Sequence, residues 1–175
     1  MMEISARFGR LIGIYPPVAS AERMQLTAAE VYQGVQAHQA YIADSRIPPL
    51  DMSARILPPR IDLRHTMLND ASFRNSEMRS ADLTGADLTN ANFERAILIG
   101  ARLAKTNCSG ATFTDAVLRG ADLTDCKSLQ TAQLAGSDVT GAKLPGPVAS
   151  FEMLKTLADA GAQTISMLAA CAHGG

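Results

Sequence analysis

A bulky apolar residue stands at every fifth position along the middle of this chain: Leu63, Leu68, Phe73, Met78, Leu83, Leu88, Phe93, Leu98, Leu103, Cys108, Phe113, Leu118 and Leu123. Two residues before each comes a small one, Ala at 71, 81, 86, 91, 96, 101, 111, 116 and 121, with Ser76, Thr66 and Thr106 among the rest and Ile61 bulky at the start. Neither regular element keeps a period of five on one side. On a helix, five residues land about 140° from the starting face, and on a flat strand they land on the opposite face. The backbone must therefore turn once per five residues, with the small and the bulky residue, two apart, both pointing inward as in a short strand. Gly85, Gly100, Gly110, Gly120, Gly136 and Gly141 all lie two after a central residue, where Asn75 and Asn90 also occur. A corner that needs positive φ selects those residue types. No proline falls between Arg60 and Leu144, as expected where backbone groups are committed to bonding between coils.

The stretch Ala81-Asp82-Leu83-Thr84-Gly85-Ala86-Asp87-Leu88-Thr89-Asn90-Ala91-Asn92-Phe93 resembles the A(D/N)LXX signature of the pentapeptide-repeat family. The resemblance implies an all-β solenoid, a right-handed quadrilateral β-helix with four repeats per turn. Residues 20 apart should then stack about 4.8 Å from one another. The repeats over 61–146 make about four coils, flanked by α-helices. Leu83, Leu88, Phe93, Leu98, Leu103, Phe113, Leu118 and Leu123 are the expected structural core, packed to ordinary protein density with no room for a ligand. After Leu123 the frame slips by one, since the apolar series resumes at Leu129, Leu134, Val139 and Leu144. Cys126 to Gln130 is therefore read as a bulge or distorted corner.

Residues 1–60 form an N-terminal extension, 61–146 the solenoid and 147–175 a C-terminal segment. Solenoid ends expose unpaired strand edges that invite aggregation unless covered. Thr27 and Glu30 make a capping box and Leu26 and Val31 a hydrophobic staple, which predicts a helix over about 28–43. Val31, Val35, Tyr41 and Ile42 offer it an apolar side. Ile47-Pro48-Pro49 and Leu57-Pro58-Pro59 predict extended chain leading into the first coil. A second helix is predicted from Ser150 to about Cys171, as an intrachain cap or a dimerisation element.

Chemistry is harder to find. His38, His65 and His173 are far apart and lack Cys or acidic neighbours at metal-ligand spacing, so no metal or cofactor site is expected. Cys108 and Cys126 replace inward residues and read as core, and Asp82, Asp87 and Asp122 read as acids supporting turns. No Walker loop, dinucleotide fingerprint or nucleophile elbow is present, so no catalytic residues are assigned. Ile97, Ile99 and Val117 occupy outward positions on one face, framed by Arg79, Arg119 and Glu77, and together predict an exposed apolar contact patch.

Sixteen basic and 17 acidic residues give a net charge of −1, which implies neither a nucleic-acid-seeking basic face nor a strongly acidic one and names no partner. Three cysteines without CxxC spacing fit a reducing compartment, and the cytoplasm is expected. The apolar run Leu11 to Tyr15 is too short for a signal peptide, and no run is long enough to span a bilayer. These readings favour a non-enzymatic scaffold for an unknown protein partner, or a homodimer built through residues 150–171 or the Ile97/Ile99/Val117 face. The family resemblance implies two alternatives, a DNA mimic acting on gyrase or another topoisomerase, and a secreted bacterial effector.

Overall fold

Parallel bridges between residues 20 or 21 apart, carried by backbone hydrogen bonds, build this fold. The computed structural model describes residues 24–44 and 46–145. Parallel bridges fall into four columns: Asp62–Asp82–Arg102–Asp122–Lys143, Met67–Asp87–Asn107–Lys127, Asp51–Ser72–Asn92–Thr112–Gln133 and Ile56–Glu77–Ile97–Val117–Asp138. In each repeat the residue after a bridging position donates its N–H down the column, as Leu83 does to the Arg102 carbonyl at 2.8 Å. The corner is closed by a turn in which the central carbonyl accepts from the next small residue, as Leu83 O does from Ala86 N at 2.9 Å. The second corner residue has positive φ throughout, +57° at Asn75 and Asn90 and +69° at Gly85, which explains the glycines and asparagines there.

The A(D/N)LXX pattern now has a physical basis. Asp82, Asp87 and Asp122 each accept the backbone N–H of the residue two ahead on Oδ1, and Thr84 and Thr89 add their hydroxyls to Asp82 and Asp87 at 2.6 Å. The acid thus prepares its own corner. Inward Ser and Thr are also satisfied: the hydroxyls of Thr66, Ser76, Thr106 and Ser137 donate to the carbonyl three residues back. The core is one continuous spine of Leu, Phe, Met and Ala. In it the Phe73, Phe93 and Phe113 rings stack with centroids 5.0 and 5.1 Å apart.

The column starts earlier than Ile61, the start read from the period. Asp51 already pairs with Ser72 and Ile56 with Glu77, each 21 residues on, and Leu50, Met52 and Leu57 are buried. One extra residue in the Leu57-Pro58-Pro59-Arg60-Ile61 stretch restores the 20-residue spacing and hides this first part from a search at fixed period. The same slip recurs near the other end, where Asn107 pairs with Lys127 but Thr112 with Gln133. There Ser128 has positive φ and a 3-10 turn over Leu129–Thr131 turns Leu129 into the core.

Strand β1 (Met24–Gln25) adds to β2 (Arg55–Ile56) in parallel and extends the Ile56 column by one strand. Helix α1 (Ala28–Ala43) begins at Thr27, whose side chain accepts from Glu30 N while the Glu30 carboxylate accepts from Thr27 N. Its buried stripe is Val31, Gly34, Val35 and His38, so Gly34 and His38 take the place expected for Tyr41 and Ile42, which are half-buried. The reason is proximity: a Cβ on Gly34 would lie 2.7 Å from Met52 Cε and 3.1 Å from Leu50 Cδ1, so any side chain there makes those two give way. The helix predicted over Ser150 to Cys171 lies outside the described residues.

Candidate interaction face

The outer surfaces of the four columns differ in chemistry. The Asp62 column carries paired charges, with Arg102 3.4 Å from Asp82 and Lys143 3.7 Å from Asp122. At its head Arg64 donates to both oxygens of Asp62 and holds that carboxyl down at about 2. The Ser72 column is hydroxyl and amide, bordered by the Arg74–Glu94 pair at 3.0 Å. The Met67 column opens with Met67, 42% exposed, and continues as Asp87, Asn107 and Lys127.

The Ile56 column is different. Ile97 and Val117 are bridge partners on adjacent coils, and Ile99 follows Ile97 two residues later along the same edge. All three are half-buried, less exposed than the open patch expected from their outward positions. Arg79 lies 3.7 Å from Glu77 at one end, and at the other Arg119 Nε donates to Asp138 Oδ2 at 2.6 Å. The Thr140 hydroxyl and amide, then Arg119, hold the Asp138 carboxyl below its ordinary range. The result is an apolar centre with a charge-balanced rim. Beside it runs a corner row of Ser80, Gly100, Gly120 and Gly141, where a Cβ built on Gly120 would meet nothing within 4 Å. That edge is nearly bare of side chains.

A family model for pentapeptide repeats matches residues 60–95 and 91–127. Residues 60–127 are pentapeptide repeats. Among solved structures it is similar to a pentapeptide-repeat protein of the Arabidopsis thaliana thylakoid lumen, at 28% identity over 61% of this chain and 72% of that one, with a TM-score of 0.54. A Nostoc pentapeptide-repeat protein matches at 26% identity over 81% of this chain and 98% of that one, with a TM-score of 0.47. QnrB1, a plasmid-mediated fluoroquinolone resistance protein, matches at 18% identity over 64% of this chain and 75% of that one, and its TM-score of 0.23 is too low to bear on function. No curated protein sequence matches. The family makes the ladder a right-handed β-helix type of solenoid.

Two groupings escaped the sequence reading. Cys108 and Cys126 are neighbours, each Sγ 3.2 Å from the Thr106 hydroxyl. The signal was available, since Cys126 stands 20 after Thr106 and Cys108 two after it. Contact with the Cys126 thiol, together with burial, pushes the Cys108 thiol up. One coil of rise and two residues of offset separate their Cα atoms by about 8 Å, beyond the usual disulfide span, and both are free thiols. The second grouping joins α1 to the column. His38 Nε2 donates to the Asn69 carbonyl at 2.9 Å and its Nδ1 accepts from Leu50 N at 3.1 Å. Tyr41 stacks on the His38 ring at 5.1 Å and donates its hydroxyl to Asp70 Oδ2 at 2.8 Å. Burial pushes His38 below the ordinary imidazole value, against the opposing pull of the Asn69 carbonyl and the Asp70 charge. Among the described residues no group of His, Cys, Asp and Glu could hold a metal ion, and no helix is long and apolar enough to cross a membrane.

Proposed function

We propose that this chain is a non-enzymatic scaffold, a quadrilateral column of about four coils that presents the Ile97, Ile99 and Val117 face to a protein partner. The observation that carries the reading is the in-register Ile97–Val117 pair, the one apolar bridge pair between coils of the regular column, where the other columns show charge or hydroxyl. An apolar centre with a rim of already paired charges favours protein contact, because burying it leaves no ion without a partner. The bare glycine edge lets a partner approach the backbone closely. Buried free thiols at Cys108 and Cys126 make a reducing compartment such as the cytoplasm part of the proposal.

A DNA mimic directed at gyrase or another topoisomerase is the second reading and the weaker one. It needs a continuous acidic field. Over Ile61 to Gly146 ten Asp and Glu face nine Lys and Arg, and the carboxylates of Asp82, Glu94, Asp122 and Asp138 are each beside a cation. A supercoiling assay in which micromolar protein leaves gyrase untouched removes that reading.

The scaffold reading is tested with Ile99→Asp. Proteins retained by the wild type should be lost from this variant and kept by Thr114→Asp on another face, with both far-UV spectra unchanged. Equal recovery on all three proteins would sink the assignment of this face.

A further inference from the structure

The N-terminal end of the column is closed by a side chain that imitates backbone. In successive coils one corner carbonyl accepts from the corner N–H of the coil before it: Thr89 O from Asp70 N and Ser109 O from Asn90 N, both at 2.8 Å. Asn69 O holds the same place one coil earlier, where among the described residues no further corner N–H stands above it, and its donor is His38 Nε2. The other ring nitrogen accepts the amide of Leu50, whose own carbonyl accepts Ser72 N at 2.8 Å. One imidazole thus fastens α1 both to the first full coil and to the strand that enters it. The ring is 1% exposed, so water cannot replace either bond.

Only one form of the ring can do this. Donating from Nε2 while accepting at Nδ1 requires neutral imidazole with its proton on Nε2, since imidazolium has two donors and no acceptor. We infer that His38 makes the N-terminal cap acid-labile: protonation at Nδ1 sets a donor against the Leu50 N–H, and α1 with the Leu50 strand releases the first coil. What is released is a strand edge, with Asn69 O and the apolar Leu50 and Met52 brought to solvent.

The titratable groups around the ring do not cancel this. On α1 it faces Tyr41, whose hydroxyl is given to Asp70. On the column it faces Asp70, the one charge that favours imidazolium, and that carboxylate already accepts from Tyr41, Asn69 and Asn90. On the entering strand Asp51 turns its Oδ1 to Ser53 N. Desolvation outweighs Asp70, so the docked ring holds its proton less tightly than a free one. Docking is therefore at full strength above the free imidazole range and weakens as pH falls through it, down to the lower docked value.

The test is amide hydrogen exchange on the full chain, corrected for intrinsic rate, between about pH 7.5 and about pH 5. Leu50 exchange relative to Leu98, whose N–H is bonded to Val117 O inside the column, should rise severalfold as protonation of the ring competes with docking. His38→Gln, which can donate and accept without titrating, should flatten that rise. Leu50 protection that stays constant, or a rise that survives His38→Gln, overturns the inference. If His38→Gln does not fold, Asp70→Asn decides: removing the charge that favours imidazolium should enlarge the acid effect, and an unchanged or smaller effect counts against it.

Discussion

The column and its N-terminal cap are held in opposite ways. Between Asp62 and Lys143 the same few bonds recur coil after coil, each coil touching only its neighbours, so stability is a sum of near-identical interfaces. In the cap every contact occurs once: the Thr27–Glu30 box, the Gly34 seat on Met52, and the His38 and Tyr41 bonds to the Asn69–Asp70 corner. Repetition makes the column tolerant of losing one hydrogen bond but exposed to any change in the spine, where one side chain serves two interfaces. Singularity makes the cap a separable unit that can detach while the column persists.

The largest effect should come from the spine. Phe93 lies between Phe73 and Phe113 and is fully buried, so Phe93→Ala removes two ring contacts and leaves a cavity. A loss of about 3–5 kcal/mol is expected, read from the urea unfolding midpoint. A loss below about 1 kcal/mol would mean that the spine relaxes around the gap and that adjacent coils are not tightly coupled.

Gly34→Val strikes the cap alone. The new side chain meets Met52 and Leu50 within contact distance, and overpacking of this kind costs about 1–3 kcal/mol. Exchange should rise in α1 and at Leu50 while Leu98 keeps its protection. If column amides lose protection in parallel, cap and column are one cooperative unit and the contrast between them fails.

The same contrast explains what could be read from the chain. Period five exposes the column because each repeat restates its pattern, and the Ile97–Val117 pairing follows once residues are stacked by twenty. The first part of the column, from Leu50 to Leu57, was invisible because the proline pairs on either side of it suggest a linker and its bridge partners are 21 residues away. His38 was invisible for a different reason. Its partners are a carbonyl 31 residues on and an amide 12 residues on, and backbone groups carry no identity in a sequence. The half-burial of Ile99 is not legible either, because alternation along one strand separates inward from outward positions and does not grade the outward ones.

The smallest effect tests whether the corners are as interchangeable as repetition implies. Gly120 has φ +62° with open space where a Cβ would go, and the equivalent corner position holds asparagine at Asn75 and Asn90 with φ +57°. Asparagine tolerates the left-handed region better than other side chains, so Gly120→Asn should change stability by less than about 0.5 kcal/mol. Gly110 is the control, because a Cβ there would fall 2.5 Å from Asn90 Oδ1 and Gly110→Asn must displace that side chain. A larger loss at Gly120 than at Gly110 would mean that φ, not space, limits the corners, and the glycine row beside Ile99 would then owe its bareness to backbone strain. If stability at Gly120 is kept while partner capture falls, the bare edge belongs to the contact face, and repetition in this column yields to function at that one row.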